Sequence, residues 1–112
     1  MPTMRERVAE LEARREKIRA MGGADKVDKQ HERGKLTARE RMGRFFDEGQ
    51  WVEVGMHGTQ MGSAAGPNGD DKPPADAVIC GFGKVDGRVV CSAAYDFTVK
   101  GGSIGETGEV KV

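Results

Sequence analysis

The sequence has few aromatic residues, two cysteines, no excess of either charge and no long hydrophobic run. Aromatic residues are 5% of its 112 residues, so we expect at most one small domain with a modest core. The 18 basic and 18 acidic side chains cancel, which removes any overall attraction to nucleic acid or to an anionic membrane. No stretch approaches the ~18 apolar residues of a membrane span, and the N-terminus lacks the apolar segment of a secretion signal. These absences predict a soluble, cytoplasmic protein.

The two cysteines, Cys80 and Cys91, are too few for a disulfide framework. Both lie in apolar runs, where a buried and reduced thiol is the usual state. We therefore expect two buried thiols, with a disulfide or a reactive thiol as the less favoured alternatives.

Residues 4–46 have a helical pattern and a high density of charge. Four apolar residues recur at helical spacing and predict a first helix with one narrow apolar stripe, which Arg15 interrupts: Met4, Val8, Leu11 and Ile18. Gly22 and Gly23 end this helix, and a short charged helix is predicted around Val27.

A capping box predicts the start of a third helix at Thr37. The Thr37 hydroxyl can accept from a backbone N–H of the first turn, while Glu40 reaches back to the N-cap. Met42, Phe45 and Phe46 then form an apolar face.

From Trp51 onward the pattern changes to that of strands. Alternation from Val52 to Met56 predicts a half-buried strand, and residues 77–82 and 89–94 are the two best strand candidates. Asp86-Gly87 between those two predicts a hairpin with a type I′ turn. Residues 58–75 are rich in glycine and proline and predict a long loop.

The last residues predict one more helix, opened by the capping-box spacing of Ser103 and Glu106. That helix has barely begun at Val112, and the hairpin would present open edges. We therefore expect either a fragment of a longer protein or a chain that a partner completes.

Two constellations can bind a ligand, and each has a simpler interpretation. Lys35, Arg39 and Arg41 surround a helix start and suit a phosphate-rich ligand, although a solvated helix face is favoured on sequence alone. Gly101-Gly102-Ser103 follows a strand, where bare backbone can approach a ligand. A tight turn between a strand and a helix is again the favoured interpretation.

The remaining polar residues give no compelling catalytic arrangement. His31 and His57 lack companions at metal-ligand spacing, so neither is expected to have a catalytic or ligand role. The loop aspartates are expected to be solvated rather than to bind a metal: Asp70, Asp71 and Asp76. Asp96 either caps a turn or lies in a cleft, and the sequence does not choose between the two.

Three segments, in order, resemble the carboxyltransferase (beta) subunits of biotin-dependent acyl-CoA carboxylases of the propionyl-CoA and methylmalonyl-CoA type. Residues 29–41 are similar to the KQHxxGKxTARER stretch of that family. Residues 82–88 resemble its strand-turn-strand segment, and residues 96–103 resemble its DFTVxGGS signature. Lys100 departs from the apolar residue that many members have in this signature, which leaves the subgroup open.

The resemblance implies an α+β or α/β fold, with N-terminal helices followed by strands that open a crotonase-like ββα domain. Residues 1–50 would form a helical arm, and residues 51–112 the first strands of an incomplete domain. The family transfers a carboxyl group between carboxybiotin and the α-carbon of an acyl-CoA. Its enolate-stabilising glycine turns, in an SGGAR-type segment and a later Gly-Gly, lie outside this sequence. No catalytic residue is therefore assigned here, and we expect no turnover by this chain alone.

The positions carried over from the family are candidates for binding coenzyme A only: Lys35, Arg39, Phe97, Gly101, Gly102 and Ser103. The resemblance implies no covalently bound cofactor and no metal, since carboxybiotin is carried on a separate domain or subunit. The implied partners are an acyl-CoA, the biotin carrier, the biotin carboxylase and other copies of the full-length subunit. The alternative is a non-catalytic assembly module that docks on a full-length carboxyltransferase subunit. The acyl group, and the choice between carboxylase, transcarboxylase and decarboxylase, stay open.

Overall fold

The computed structural model describes residues 1–59 and 73–112. This part of the chain contains four α-helices and one antiparallel sheet of three strands. The helices are α1 (Met4–Arg19), α2 (Ala24–Glu32), α3 (Ala38–Phe45) and α4 (Glu106–Lys111). The strands are β1 (Trp51–Val54), β2 (Val78–Val85) and β3 (Arg88–Tyr95). Most of the predicted loop at 58–75, with Asp70 and Asp71, lies outside the described residues.

Helices α1 and α3 each begin with a side-chain cap, which replaces backbone hydrogen bonds that are missing in the first turn. In α3 the predicted capping box is confirmed, because Thr37 accepts from the N–H of Glu40 and Glu40 reaches back to Thr37. Thr3 and Glu6 form the same box at the start of α1. However, α1 buries none of its side chains, so its apolar stripe contributes little to the core.

The sheet has the order β1-β2-β3, and the predicted hairpin between β2 and β3 is confirmed. Asp86 and Gly87 have φ angles of 53° and 77°, the positive values that a type I′ turn requires at both positions. The carboxylate of Asp47 accepts hydrogen bonds from both backbone N–H groups of this turn. The segment after α3 therefore holds the tip of the hairpin.

The core lies where α3 packs on the inner face of the sheet. Its buried members are Ala38, Met42, Phe46 and Ile79. Each larger apolar side chain buried here stabilises the fold by roughly 1.5–3 kcal/mol. Phe45, predicted to share the apolar face of α3, is 46% exposed. The core thus joins the helical segment to the strands.

Strand β1 places its polar residue, rather than its valines, toward the core. Val52 and Val54 are more than half exposed, while Trp51 and Glu53 are partly buried. Trp51 stacks on Phe46 with ring centroids 6.2 Å apart. The alternation predicted the strand but not its orientation, since the side that carries Trp51 and Glu53 faces inward.

The two cysteines differ in burial. Cys80 is buried in β2, as predicted, but Cys91 in β3 is exposed, so the prediction of two buried thiols is wrong for Cys91. Cys91 pairs in register with Phe82, and both lie on the outer face of the sheet, opposite α3. Both cysteines are free thiols.

The last helix is present as predicted, but its cap is different. The N-cap of α4 is Gly105, with no side-chain cap, and Ser103 is exposed. Instead, the buried carboxylate of Asp76 accepts from the backbone N–H groups of Gly105 and Gly108. The expectation that Asp76 is a solvated loop residue is therefore wrong, because it replaces the missing cap of α4.

Two features are absent from residues 1–59 and 73–112. No helix there is both long enough and apolar enough to cross a membrane. No group of three or more histidine, cysteine, aspartate or glutamate side chains there is arranged to hold a metal ion.

Candidate functional site

A cleft of about 270 Å³ lies between the start of α3 and the loop that follows β3. Two segments far apart in sequence form its walls. They are lined by Gln30, Lys35, Leu36, Thr37, Ala38 and Arg41 on one side, and by Tyr95, Asp96, Phe97, Thr98, Gly101 and Gly102 on the other. Four of the six predicted binding residues therefore meet here: Lys35, Phe97, Gly101 and Gly102. Arg39 and Ser103 are not among the lining residues.

The first wall is held by hydrogen bonds around the turn between α2 and α3. The buried side chain of Gln30 donates to the carbonyl of Leu36, and the backbone N–H of Lys35 donates to the carbonyl of Gln30. His31 and Glu40 are joined at 2.5 Å, and this bond, followed by that from Thr37, holds the pKa of Glu40 below its ordinary value. The backbone that carries Lys35 is fixed, while its side chain remains exposed.

The second wall is organised by Asp96, which is 2% exposed. Its carboxylate accepts from the backbone N–H and from the hydroxyl of Thr98, at 3.0 and 2.6 Å. The N–H of Asp96 donates to the carbonyl of Ala77 at the start of the sheet. Of the two roles that the sequence left open, Asp96 caps the turn, and it also lines the cleft.

The glycine turn beyond Asp96 uses its own amides internally. The N–H of Gly102 donates to Val99, and the N–H of Ser103 donates to Lys100. Gly101 and Gly102 both have positive φ, at 63° and 80°, which favours glycine. The turn therefore brings bare backbone to the cleft, while two of its amides are already bonded.

Arg39 lies in a different environment from Lys35. Its two terminal nitrogens donate to the two carboxylate oxygens of Glu53, at 2.8 and 3.0 Å. The side chains of Arg39 and Glu53 are only 15% and 14% exposed. The three cations near the start of α3 therefore lie in two places. Lys35 and Arg41 line the cleft, whereas Arg39 forms an ion pair with Glu53 of β1.

No pattern in the sequence predicts the hydrogen bond that joins the cleft to the helical segment. The N–H of Gly22, in the turn between α1 and α2, donates to the hydroxyl of Thr98. In the sequence, Gly22 is predicted to end the first helix, and Thr98 belongs to the signature segment at residues 96–103. Only the fold shows that the two are in contact.

Comparison with known proteins adds a family match. A family model, the carboxyl transferase domain, matches residues 29–112. The propionyl-CoA carboxylase carboxyltransferase subunit of Haloferax mediterranei is 44% identical over 110 residues, which are 98% of this chain and 21% of that protein. The methylmalonyl-CoA decarboxylase subunit alpha of Propionigenium modestum is 39% identical over 112 residues, or 100% of this chain and 22% of that protein.

A solved structure is also similar. The transcarboxylase 12S crystal structure, described as a hexamer assembly with methylmalonyl-coenzyme A and methylmalonic acid bound, superimposes with a TM-score of 0.87 at 41% identity. The superposition covers 99% of this chain and 22% of the 12S chain. The chain therefore spans 21–22% of the length of these three relatives.

Proposed function

Since the chain belongs to the carboxyl transferase domain family, we propose that it is part of an acyl-CoA carboxyltransferase subunit. Such a subunit transfers a carboxyl group between carboxybiotin, carried on a separate domain or subunit, and the α-carbon of an acyl-CoA. The names of relatives at about 40% identity, a propionyl-CoA carboxylase subunit and a methylmalonyl-CoA decarboxylase subunit, support this class of substrate. In this proposal the three strands open a crotonase-like domain.

The contribution of this chain is part of an acyl-CoA-binding surface. The observation that carries this role is that two separate signature segments line one cleft, the first with residues 35–38 and 41 and the second with residues 96–98, 101 and 102. Lys35 and Arg41 supply exposed cations that suit the phosphate groups of coenzyme A. Phe97, 56% exposed at the cleft, supplies an apolar surface. A cleft of about 270 Å³ is slightly smaller than the usual ligand pocket, so it would hold one part of the coenzyme.

The chain by itself is expected to carry out no turnover. Stabilising an enolate requires backbone or side-chain donors directed at the developing oxyanion. Two amides of the only glycine turn at the cleft, those of Gly102 and Ser103, are already bonded within the turn in the described structure. Supplying an acyl-CoA and a carboxybiotin donor to the purified chain should give no carboxylated product, and clear turnover would refute this part of the proposal.

Calorimetric titration of coenzyme A into the purified chain tests the binding role. Lys35→Ala should weaken binding, because it removes a cation at the cleft. Lys29→Ala is the matched control, since Lys29 is an exposed lysine of α2 that does not line the cleft. Equal affinities in the wild type and both variants, or an absence of binding to a chain shown to be folded by circular dichroism, would contradict the role.

A second candidate function is that of an assembly module that docks on a full-length carboxyltransferase subunit. The apolar outer face of the sheet favours it, since Val52, Val54, Phe82 and Val89 are 41–71% exposed. Co-purification with a full-length subunit would support this function. A chain that stays monomeric in the presence of such a subunit would count against it.

A further inference from the structure

A second cavity, of about 600 Å³, lies on the side of α3 where Arg39 is found. It is lined by Arg15, Arg19, Arg39, Trp51, Glu53, Gly55, Met56, His57 and Gly58. Among these described residues are three guanidinium groups and a single carboxylate, so the cavity carries an excess of positive charge. It shares no lining residue with the cleft of Lys35. Its volume is within the range of pockets that take small ligands.

Arg39 retains one donor that its ion pair does not use. Its bidentate pair with Glu53 uses the two terminal nitrogens. Its Nε atom is buried and has no hydrogen-bond partner among the described residues. A buried donor without a partner is costly and is commonly satisfied by an ion or a water molecule.

Arg15 and Arg19 are one helical turn apart, so both reach the cavity from the same side of α1. Each is bonded through one nitrogen to a glutamate of its own helix, Arg15 to Glu12 at 3.3 Å and Arg19 to Glu16 at 2.7 Å. Neither glutamate is among the lining residues. A guanidinium has five N–H donors, and exposed pairs of this kind contribute little to stability. Both arginines can therefore bond an incoming anion.

The position of Arg15 supports a role beyond solvation of the helix. It falls between Leu11 and Ile18 at the spacing where the apolar stripe of α1 predicts an apolar residue. In the structure Arg15 lines the cavity, and α1 buries none of its side chains in a core. At this point of the stripe, Arg15 therefore lines the cavity together with Arg19 and Arg39.

We propose that this cavity is a binding site for a diphosphate-bearing small molecule, held by Arg15, Arg19 and Arg39. The planar fork of a guanidinium matches phosphate oxygens, and three such groups around one cavity suit an anion with two linked phosphates. The site is independent of the proposed acyl-CoA cleft, since the two have separate walls.

Titration with inorganic pyrophosphate tests this site, with calorimetry for affinity and the fluorescence of Trp51 for location. Trp51 is the sole tryptophan of the chain and lines the cavity, so a change in its emission reports binding there. The double substitution Arg15→Ala/Arg19→Ala should weaken binding by about tenfold or more. Arg14→Ala is the matched control, because Arg14 also pairs with a glutamate of α1 but does not line the cavity. Its affinity should stay within about twofold of the wild type.

A further variant separates binding from folding. Arg15→Lys/Arg19→Lys keeps the charge and the helix propensity but removes the planar guanidinium groups, which bind phosphate oxygens in pairs. Its affinity for pyrophosphate should therefore lie between those of the wild type and the double alanine variant. The proposal is overturned if pyrophosphate does not bind the wild type, or if Arg14→Ala weakens binding as much as the double alanine substitution. Competition by coenzyme A would identify its diphosphate as the ligand. Undiminished pyrophosphate binding at saturating coenzyme A would identify a separate diphosphate compound.

Discussion

The backbone N–H of Gly22 donates a hydrogen bond to the hydroxyl of Thr98 across 76 positions of sequence, with the two atoms 3.0 Å apart. The same hydroxyl donates to the buried carboxylate of Asp96. The turn between α1 and α2 is thus fixed to the loop that forms one wall of the cleft at Lys35. The turn that contains Gly22 therefore helps to position that wall.

Gly22→Ala should destabilise the fold, because the added Cβ would lie 1.8 Å from the carbonyl oxygen of Thr98. Backbone must move to relieve such a contact, and we expect a loss of about 1–3 kcal/mol in the free energy of unfolding. Urea denaturation measures it. Gly43→Ala is the opposite control, since its Cβ would meet no described atom within 4 Å and alanine favours the interior of α3 by about 0.5–1 kcal/mol. Equal stabilities of the two variants would refute the steric argument.

Removing one partner of the Arg39–Glu53 pair should cost much more than removing an exposed partner. Glu53→Ala leaves a largely buried guanidinium without its carboxylate, and we expect a loss of about 3 kcal/mol or more. Glu10→Ala, which breaks the exposed pair with Arg14, should change stability by less than about 1 kcal/mol. The double variant Arg39→Met/Glu53→Leu should recover most of the loss in urea denaturation. Its failure to do so would show that the pair itself, rather than the uncompensated charge, determines stability.

The sequence predicted the elements well because their signals are local. Most of the helices and strands follow from a capping box, a periodicity or a turn within a few residues, as the hairpin follows from Asp86-Gly87. The exception is α4, which was predicted from a capping box that the structure does not form. The contacts that define the cavities are not local. Arg39 could be recognised as a cation at a helix start, but its pairing with Glu53 depends on which face of β1 turns inward.

Contacts between distant parts of the sequence also explain why the prediction for Asp76 was wrong and why the cleft could be expected only from a family resemblance. Asp76 lies in a polar, proline-containing segment, and nothing nearby in sequence indicates that it accepts from Gly105, 29 residues away. The meeting of Lys35 with Gly101 and Gly102 was expected only because the segments resemble those of one family. Composition and spacing alone do not predict that these residues line the same cleft.

Acid should weaken the fold through Asp47. Hydrogen bonds from the backbone N–H groups of Gly87 and Asp86 hold the pKa of Asp47 below its ordinary value of 3.8. A carboxyl group whose pKa is lower in the folded state adds stability above its unfolded pKa, and loses it as the pH falls through the folded value. Asp47→Asn should therefore flatten the dependence of unfolding free energy on pH below about 3.8, measured by urea denaturation. Asp28→Asn, at an exposed site of α2, is the control, and an equal flattening by both would refute the assignment.

The two thiols should differ in reactivity. Burial raises the pKa of the Cys80 thiol, an effect that the nearby Lys111 partly opposes, and the thiolate is the reactive form. Brief treatment of the native chain with iodoacetamide should therefore modify the exposed Cys91 and spare Cys80, as peptide mass spectrometry would show. Cys91→Ser should remove the label, and denaturant should expose Cys80. Labelling of Cys80 at the rate of Cys91 in the native chain would contradict the burial.

Asp76 should decide whether α4 remains folded on the sheet. A helix of six residues is too short to be stable by itself, so its stability must come from contacts outside it. Its first N–H groups are bonded to the Asp76 carboxylate at 3.0 and 2.7 Å, and at its other end Lys111 donates to the carbonyls of Ala75 and Val78. Asp76→Ala would leave those N–H groups without an acceptor, at a cost of about 1–3 kcal/mol.

We expect the amides of residues 105–112 in the Asp76→Ala variant to exchange with deuterium faster than in the wild type, while those of β2 and β3 remain protected. Glu106→Ala is the matched control, because this exposed carboxylate lies in the first turn of the same helix without replacing its cap. Exchange accelerated throughout the sheet would mean that Asp76 supports the whole core rather than α4. Unchanged exchange in residues 105–112 would mean that the remaining side-chain bonds, from Lys111 to Ala75 and Val78 and from Thr107 to Thr59, are sufficient to hold the helix.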